Sequence, residues 1–242
     1  KIKGKKLGPL GHGSFLLRVK GAPKDVSLGF SFKSFSSSFK VYFIESGKVR
    51  EIGGKGIVGK TNVDTVPEMG PSLMDVNTVK GDFFVLVHCS NYYYRGGGLT
   101  SEFVLGLKKD VENSFYQKKV QRFFVLGVFF IMALYHFELF YQRRKDKGSL
   151  WFGVFCFIVV LRILSADSYL TALFSKPSVF TFYLNRKIEF MTFYLGAPVF
   201  CEFLRYLFKD FISDKFKNVI WVVSGLFSIV VLLTPPVVFT KT

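Results

Sequence analysis

Two rhythms of apolar and polar residues run along this chain, and one gives way to the other near residue 110. Before that point apolar positions recur every second residue, the period of a half-buried strand. Gly11 to Lys20 carries Phe15, Leu17 and Val19 on one face. Val26 to Lys33 sets Val26, Leu28, Phe30 and Phe32 against Ser27, Gly29, Ser31 and Lys33. Phe39, Val41 and Phe43 repeat the pattern, Glu45 to Lys48 supplies a turn, and Val49 to Ile52 is the return strand. Residues 60–80, with Pro67, Gly70 and Pro71, read as a long connection. Phe83 to Cys89 is continuously apolar, which predicts a strand buried on both faces. A glycine turn at Arg95 to Gly98 leads to a last strand, Ser101 to Leu107. Short strands joined by glycine-rich turns predict an antiparallel β-sandwich of jelly-roll type over residues 1–109.

Beyond Phe123 the alternation is gone. Phe123 to Tyr141 is almost wholly apolar and aromatic, broken by His136 and Glu138. About 20 such residues, rising about 1.5 Å each, cross the hydrocarbon core of a bilayer. A helix in water keeps one polar face, and this stretch has none before Tyr135. Arg143, Arg144, Lys145 and Lys147 stop it. Further spans are predicted at 150–166, 188–208 and 218–239, the last ending at Pro235-Pro236. Residues 110–121 form a polar helical connector whose Asp110 and Glu112 at the start, and Lys118 and Lys119 at the end, suit the helix dipole. Residues 167–187 are a connection and 209–217 a charged loop. The fold class is therefore β plus membrane α: a sandwich followed by a transmembrane helical bundle, residues 122–242, of which four helices are present.

Composition changes this picture little. A net charge of +16 suggests nucleic acid in a protein without membrane spans. Here the lysines are scattered through the first half and sit at helix ends in the second, where they anchor to headgroups. No basic run interleaves with aromatics as a nucleic-acid groove does. Cys89, Cys156 and Cys201 form no CxxC pair, so neither a disulfide framework nor a zinc site is expected. The start, KIKGKKLGPL, has no signal peptide, and the chain is expected to be a piece of a longer protein at both ends. Charge counting nearly balances across the loops. It leans toward Arg143, Arg144, Lys145 and Lys147 being cytoplasmic, which places the β domain outside.

The candidate chemistry is sparse. Gly54 and Gly59-Lys60-Thr61 have the spacing of a phosphate-binding loop, but no strand–helix pattern surrounds them, and Pro67 to Pro71 follow. No nucleophile–base set is assembled, so no catalytic residue, cofactor or metal is expected. Tyr92, Tyr93, Tyr94 and Arg95 are candidates for stacking on and hydrogen-bonding a sugar or another polar ligand. The alternative is an interfacial belt or packing against the bundle. Intramembrane ionisable groups default to functional hypotheses. On that ground His136, Glu138 and Glu202 are candidates for coupling between helices. Arg162, near the depth of Asp167 and Glu189, is expected to pair with Glu189. Gly196-Ala197-Pro198 is a candidate for close packing or a kink.

Ser90 to Gly106 (SNYYYRGGGLTSEFVLG) and Ala133 to Gly153 (ALYHFELFYQRRKDKGSLWFG) together resemble the bacterial seven-transmembrane receptors with diverse intracellular signalling modules. Asn91, Arg95, Gly97, Gly98, Tyr135, His136, Arg143, Arg144, Leu150 and Gly153 carry the likeness. Val41 to Thr61, with Pro67, resembles their type-2 extracellular domain, a jelly-roll module similar to carbohydrate-binding modules. The resemblance runs from about Gly11 through the third span. The triple glycine and the run Tyr92 to Tyr94 depart from the family pattern. It implies a periplasmic or extracellular β domain, seven helices of which four are here, and a cytoplasmic cyclase, kinase or phosphatase module beyond them. The function expected is a receptor in the inner (plasma) membrane whose β domain senses a small external ligand, with sugar the candidate class. The other partners expected are bilayer lipid and a second copy of the chain; nucleic acid is not expected. The alternatives are a membrane-anchored binding module without output, and a transporter or membrane enzyme using His136, Glu138 and Glu202.

Overall fold

The computed structural model describes residues 8–33, 37–97, 103–174, 176–208 and 212–240. Gly98, Ser101 and Glu102 of the expected turn and last strand, Lys209 of the expected charged loop and the basic stretch 1–7 lie outside these. The chain forms two compact units. One holds Lys1–Lys118, Thr171–Phe182 and Pro236–Thr242; the other holds Lys119–Leu170 and Tyr183–Pro235.

Among its described residues the first unit contains seven strands: β1 (Gly11–Val19), β2 (Val26–Phe32), β3 (Ser38–Glu45), β4 (Lys48–Lys55), β5 (Ser72–Val79), β6 (Phe83–Asn91) and β7 (Phe103–Leu107). All pair antiparallel, in a four-stranded sheet β1-β6-β3-β4 and a three-stranded sheet β5-β2-β7. The inward phase of each strand builds one core between the sheets, around Phe30, Phe32, Phe39, Val41, Phe43 and Phe83. Phe32 meets Phe39 with ring centroids 5.3 Å apart, and Phe43 meets Phe83 at 4.8 Å. Ser46 and Gly47 both have positive φ, 49° and 76°. That is the two-residue turn whose twist matches a β-hairpin.

Two local readings are corrected. Ser72–Val79, inside the expected connection, is a strand. Its buried phase, Met74 and Val76, alternates with Asp75 and Asn77, but the prolines and glycine just before it dominate that window of sequence. β6 is not buried on both faces: Phe83, Val85 and Val87 are buried, while Phe84 is exposed. β1 is an edge strand. Phe15 and Leu17 point to the core side of their sheet yet stay 47% and 44% exposed, because a three-stranded layer cannot cover four strands.

The helices are α1 (Lys108–Gln142), α2 (Lys147–Ala166), α3 (Val179–Leu207), α4 (Asp214–Leu233) and the single turn α5 (Pro236–Phe239), with a 3₁₀ turn at Tyr169–Leu173. The boundary between the two units falls within α1, which is one continuous helix of 35 residues. α1, α2 and α4 are long and apolar enough to cross a membrane. Their apolar side chains face outward: Phe124 is 72% exposed and Leu233 80%. Water would penalise such surfaces; hydrocarbon does not. α3 starts at Val179, so residues 179–187 are helical rather than a connection. It is long enough to span but carries Arg186, Lys187, Glu189, Glu202 and Arg205, several of them turned toward the protein. α4 ends at Leu233, capped at Thr234 just before Pro235.

Candidate functional site

The tyrosines around β6 act on a loop. β6 ends at Asn91, whose side chain folds back to close a turn: its Nδ2 donates to the carbonyls of Pro9 (2.9 Å) and Tyr94 (2.5 Å), and its Oδ1 accepts from the Tyr94 N–H (3.1 Å). This turn directs Tyr92 and Tyr93 at the segment after β4. Tyr92 Oη donates to the Lys60 carbonyl and Tyr93 Oη to the Asn62 carbonyl. Tyr92 Oη also lies 3.3 Å from His12 Nδ1. From below, Ser90 Oγ accepts from Gly59 N–H (3.2 Å) and Thr65 Oγ1 (3.2 Å) and pairs with Ser38 Oγ at 2.8 Å. Ser38, Thr65 and Ser90 are buried.

These bonds pin the stretch with phosphate-loop spacing as a closed Ω-like loop, its ends joined at Ile57 and Val66. Its glycines serve that closure. Gly56 has φ 67°, and a Cβ there would sit 2.3 Å from the Val66 carbonyl oxygen; one on Gly59 would meet Asp64 at 2.6 Å. No helix follows, so the loop places no helix N-terminus before a phosphate, and the Gly59 N–H is spent on Ser90 Oγ. The outer face of the adjacent sheet carries a polar and aromatic stripe. Ser14 Oγ lies 2.6 Å from His88 Nδ1, Tyr42 meets the His88 ring edge-on at 5.3 Å, and Lys40 Nζ donates to Glu51 Oε1 at 2.9 Å. That hydrogen bond and the Glu51 charge raise the Lys40 pKa. Burial pushes the Cys89 thiol up, which leaves it protonated and unreactive at neutral pH.

The second cluster lies in the helical unit. α2 runs out of apolar residues at Ser165-Ala166-Asp167-Ser168, and Ser168 turns the chain with φ 59°. A helix end leaves carbonyls without intrahelical partners and carries partial negative charge. α3 supplies both needs. Asn185 Nδ2 donates to the Ser165 carbonyl at 3.0 Å, and Arg186 Nη2 donates to that carbonyl at 3.3 Å and to Ser168 Oγ at 2.9 Å. Ser165, Asn185 and Arg186 are almost fully buried. Glu189, one turn along α3, pairs with Arg186 at 2.6 Å. Asp167, which caps α2, pairs with Arg122 of α1. Phe123 of α1 packs on Tyr169 with centroids 5.0 Å apart.

Arg162 reaches Glu189, but not as a side-chain pair. Its Nη1 donates to the Glu189 main-chain carbonyl at 2.6 Å, and its guanidinium lies 5.2 Å from the centroid of the Phe193 ring. The carboxylate belongs to Arg186, a residue assigned from sequence to a connection. A polar pair at i and i+3, Arg186 and Glu189, beside an apolar run was the available signal.

His136, Glu138 and Glu202 have no hydrogen bond with one another among the described residues. His136 Nδ1 lies 2.8 Å from the Met132 carbonyl of its own helix, and its ring meets Phe152 at 4.5 Å. Glu138 accepts from Gln142 at 2.9 Å, also within α1. Glu202 accepts from Trp221 Nε1 of α4 at 3.0 Å. Gly153 of α2 packs tightly on α1, since a Cβ there would lie 2.9 Å from the Phe137 ring. Pro198 sits inside α3 without ending it.

The model of the family described as 7TM diverse intracellular signalling matches residues 120–242. No curated protein matches the chain. A solved structure described as pT26-6p is similar over 92% of this chain and 49% of its own, at 11% identity and a TM-score of 0.25. This chain thus spans about half the length of that one.

Proposed function

Since the chain belongs to the 7TM diverse intracellular signalling family, a membrane family with a receptor-like role, we propose that its β-sandwich is the external sensor of that receptor and its helices the transmitter. The observation that carries this reading is the order of parts: a strand-built domain precedes the matched region, and the matched region contains outward-facing apolar helices. Sensing requires that a ligand bind one helix packing better than another. The ligand class we propose is a saccharide, held on the polar and aromatic face around Tyr42, His88 and Tyr92. We place the β domain outside an inner (plasma) membrane and the output module after the last helix of the full protein.

The chain carries its own reporter. Its two tryptophans, Trp151 in α2 and Trp221 in α4, meet at 6.3 Å in the bundle, and the sandwich has none. Mono- and oligosaccharides titrated into the chain in lipid nanodiscs are expected to give binding heat and a change in tryptophan emission. Heat without an emission change supports an anchored binding module instead. No heat from any saccharide removes the proposed ligand class.

A further inference from the structure

Among the described residues, three guanidinium groups, Arg122 of α1, Arg162 of α2 and Arg186 of α3, and two carboxylates, Asp167 and Glu189, meet where α2 gives way to α3. Arg122 holds Asp167, and Arg186 holds Glu189. Arg162 is the odd one, satisfied by a main-chain carbonyl of Glu189 and the face of Phe193. Arg162 therefore stands beside a carboxylate that another arginine occupies. Two further features lie in the same junction. Asn185 Oδ1 is buried with no hydrogen-bond partner among the described residues, where buried acceptors are normally satisfied. Ser168, a non-glycine residue, is held in the left-handed region at φ 59°, and such strain concentrates at switch segments.

From this geometry we infer that the junction is a two-position ionic latch coupling α1 to α3. In the position seen here, Glu189 neutralises Arg186, and Arg186 clamps the end of α2 through the Ser165 carbonyl and Ser168 Oγ. In the second position the Glu189 carboxylate moves to Arg162, already bonded to the carbonyl of the same residue. Arg186 then loses the Glu189 carboxylate that orients its guanidinium onto the end of α2, and the clamp loosens. The element that chooses is α1. Arg122 pulls on Asp167, which lies between the clamped Ser165 and the strained Ser168, and Phe123 and Lys119 flank Tyr169 on the same turn. A shift of α1 therefore acts on the clamp itself. The latch gives the receptor reading a transmission step. Its test needs no ligand, so its failure would leave that reading standing.

The test is hydrogen–deuterium exchange on the full chain in nanodiscs. Arg122→Gln is expected to speed exchange about fivefold or more at the amides of 185–189, which Arg122 does not touch, a size typical of coupling between sites. Arg186→Gln is expected to do the same. Arg162→Gln removes the second position. It is expected to leave exchange at 185–189 unchanged or slower, and to cancel the effect of Arg122→Gln in the double variant. An effect of Arg122→Gln confined to 166–170 would overturn the latch. So would an Arg162→Gln variant as loose at 185–189 as Arg186→Gln. Should Arg122→Gln not fold, Arg122→Lys keeps the charge with poorer geometry and is read in the same way. The exchanged pair Arg122→Asp with Asp167→Arg is then expected to restore the native rates, and a failure to restore them counts against coupling through this contact.

Discussion

Tyr92 and Tyr93 donate their hydroxyls to main-chain carbonyls of the loop after β4. Removing one hydroxyl leaves a loop carbonyl to water, at about 1 kcal/mol. Tyr93→Phe is therefore expected to lower stability by about that amount and to raise protease cleavage near residues 60–64, with the helices unaffected; an unchanged loop would show that the hydroxyl does not anchor it. Gly56→Ala is more severe, because it combines a positive φ with a clash against the Val66 carbonyl oxygen. A loss of about 2 kcal/mol or more in chemical denaturation is expected, within the range for strained backbone and overpacking. The glycines and lysine that imitate a phosphate loop are legible in the sequence. Their closure by residues some thirty positions away is not, because hydrogen bonds to main-chain carbonyls leave no spacing signature.

At the level of elements, helix ends carry the testable chemistry. Asp146 caps α2, accepting from Ser149 Oγ at 2.6 Å and from Ser149 N–H at 3.3 Å, and these bonds hold its carboxyl below the usual carboxylate range. A depressed folded pKa gives stability that is present above the unfolded value and is lost as pH falls through the folded one. The cap is therefore intact at neutral pH and releases only in acid, below about pH 4. Asp146→Ala should cost about 1 kcal/mol at pH 7, a difference that shrinks toward pH 3 in thermal melts; a cost independent of pH would argue against a charged cap. Where α1 and α2 touch, Gly153→Leu is expected to force Phe137 away and lower the melting temperature measurably, since close helix approach needs a small residue there. α3 was harder to delimit from sequence. Its opening Val179–Leu184 is largely apolar but is cut off from the later apolar run by Asn185, Arg186 and Lys187, and Asn185 and Arg186 face the end of α2 rather than lipid, so hydropathy alone starts the helix too late.

For the molecule as a whole, the division into a strand-built domain and a lipid-solvated bundle implies that the purified chain needs detergent or lipid. It is expected to aggregate when detergent is removed, and a monodisperse chain in plain buffer would refute the membrane assignment. The sequence alone determined the two classes of structure, because period-two alternation and long apolar runs are local consequences of what each segment faces. Most strand positions, the hairpin at Ser46-Gly47 and the apolar helices follow from that. Only the tertiary structure decided which strands lack cover, which arginine holds Glu189 and what the tyrosines bind. These are contacts between residues far apart in the chain, chosen by how two sheets or three helices meet, and no local pattern of residues encodes that meeting.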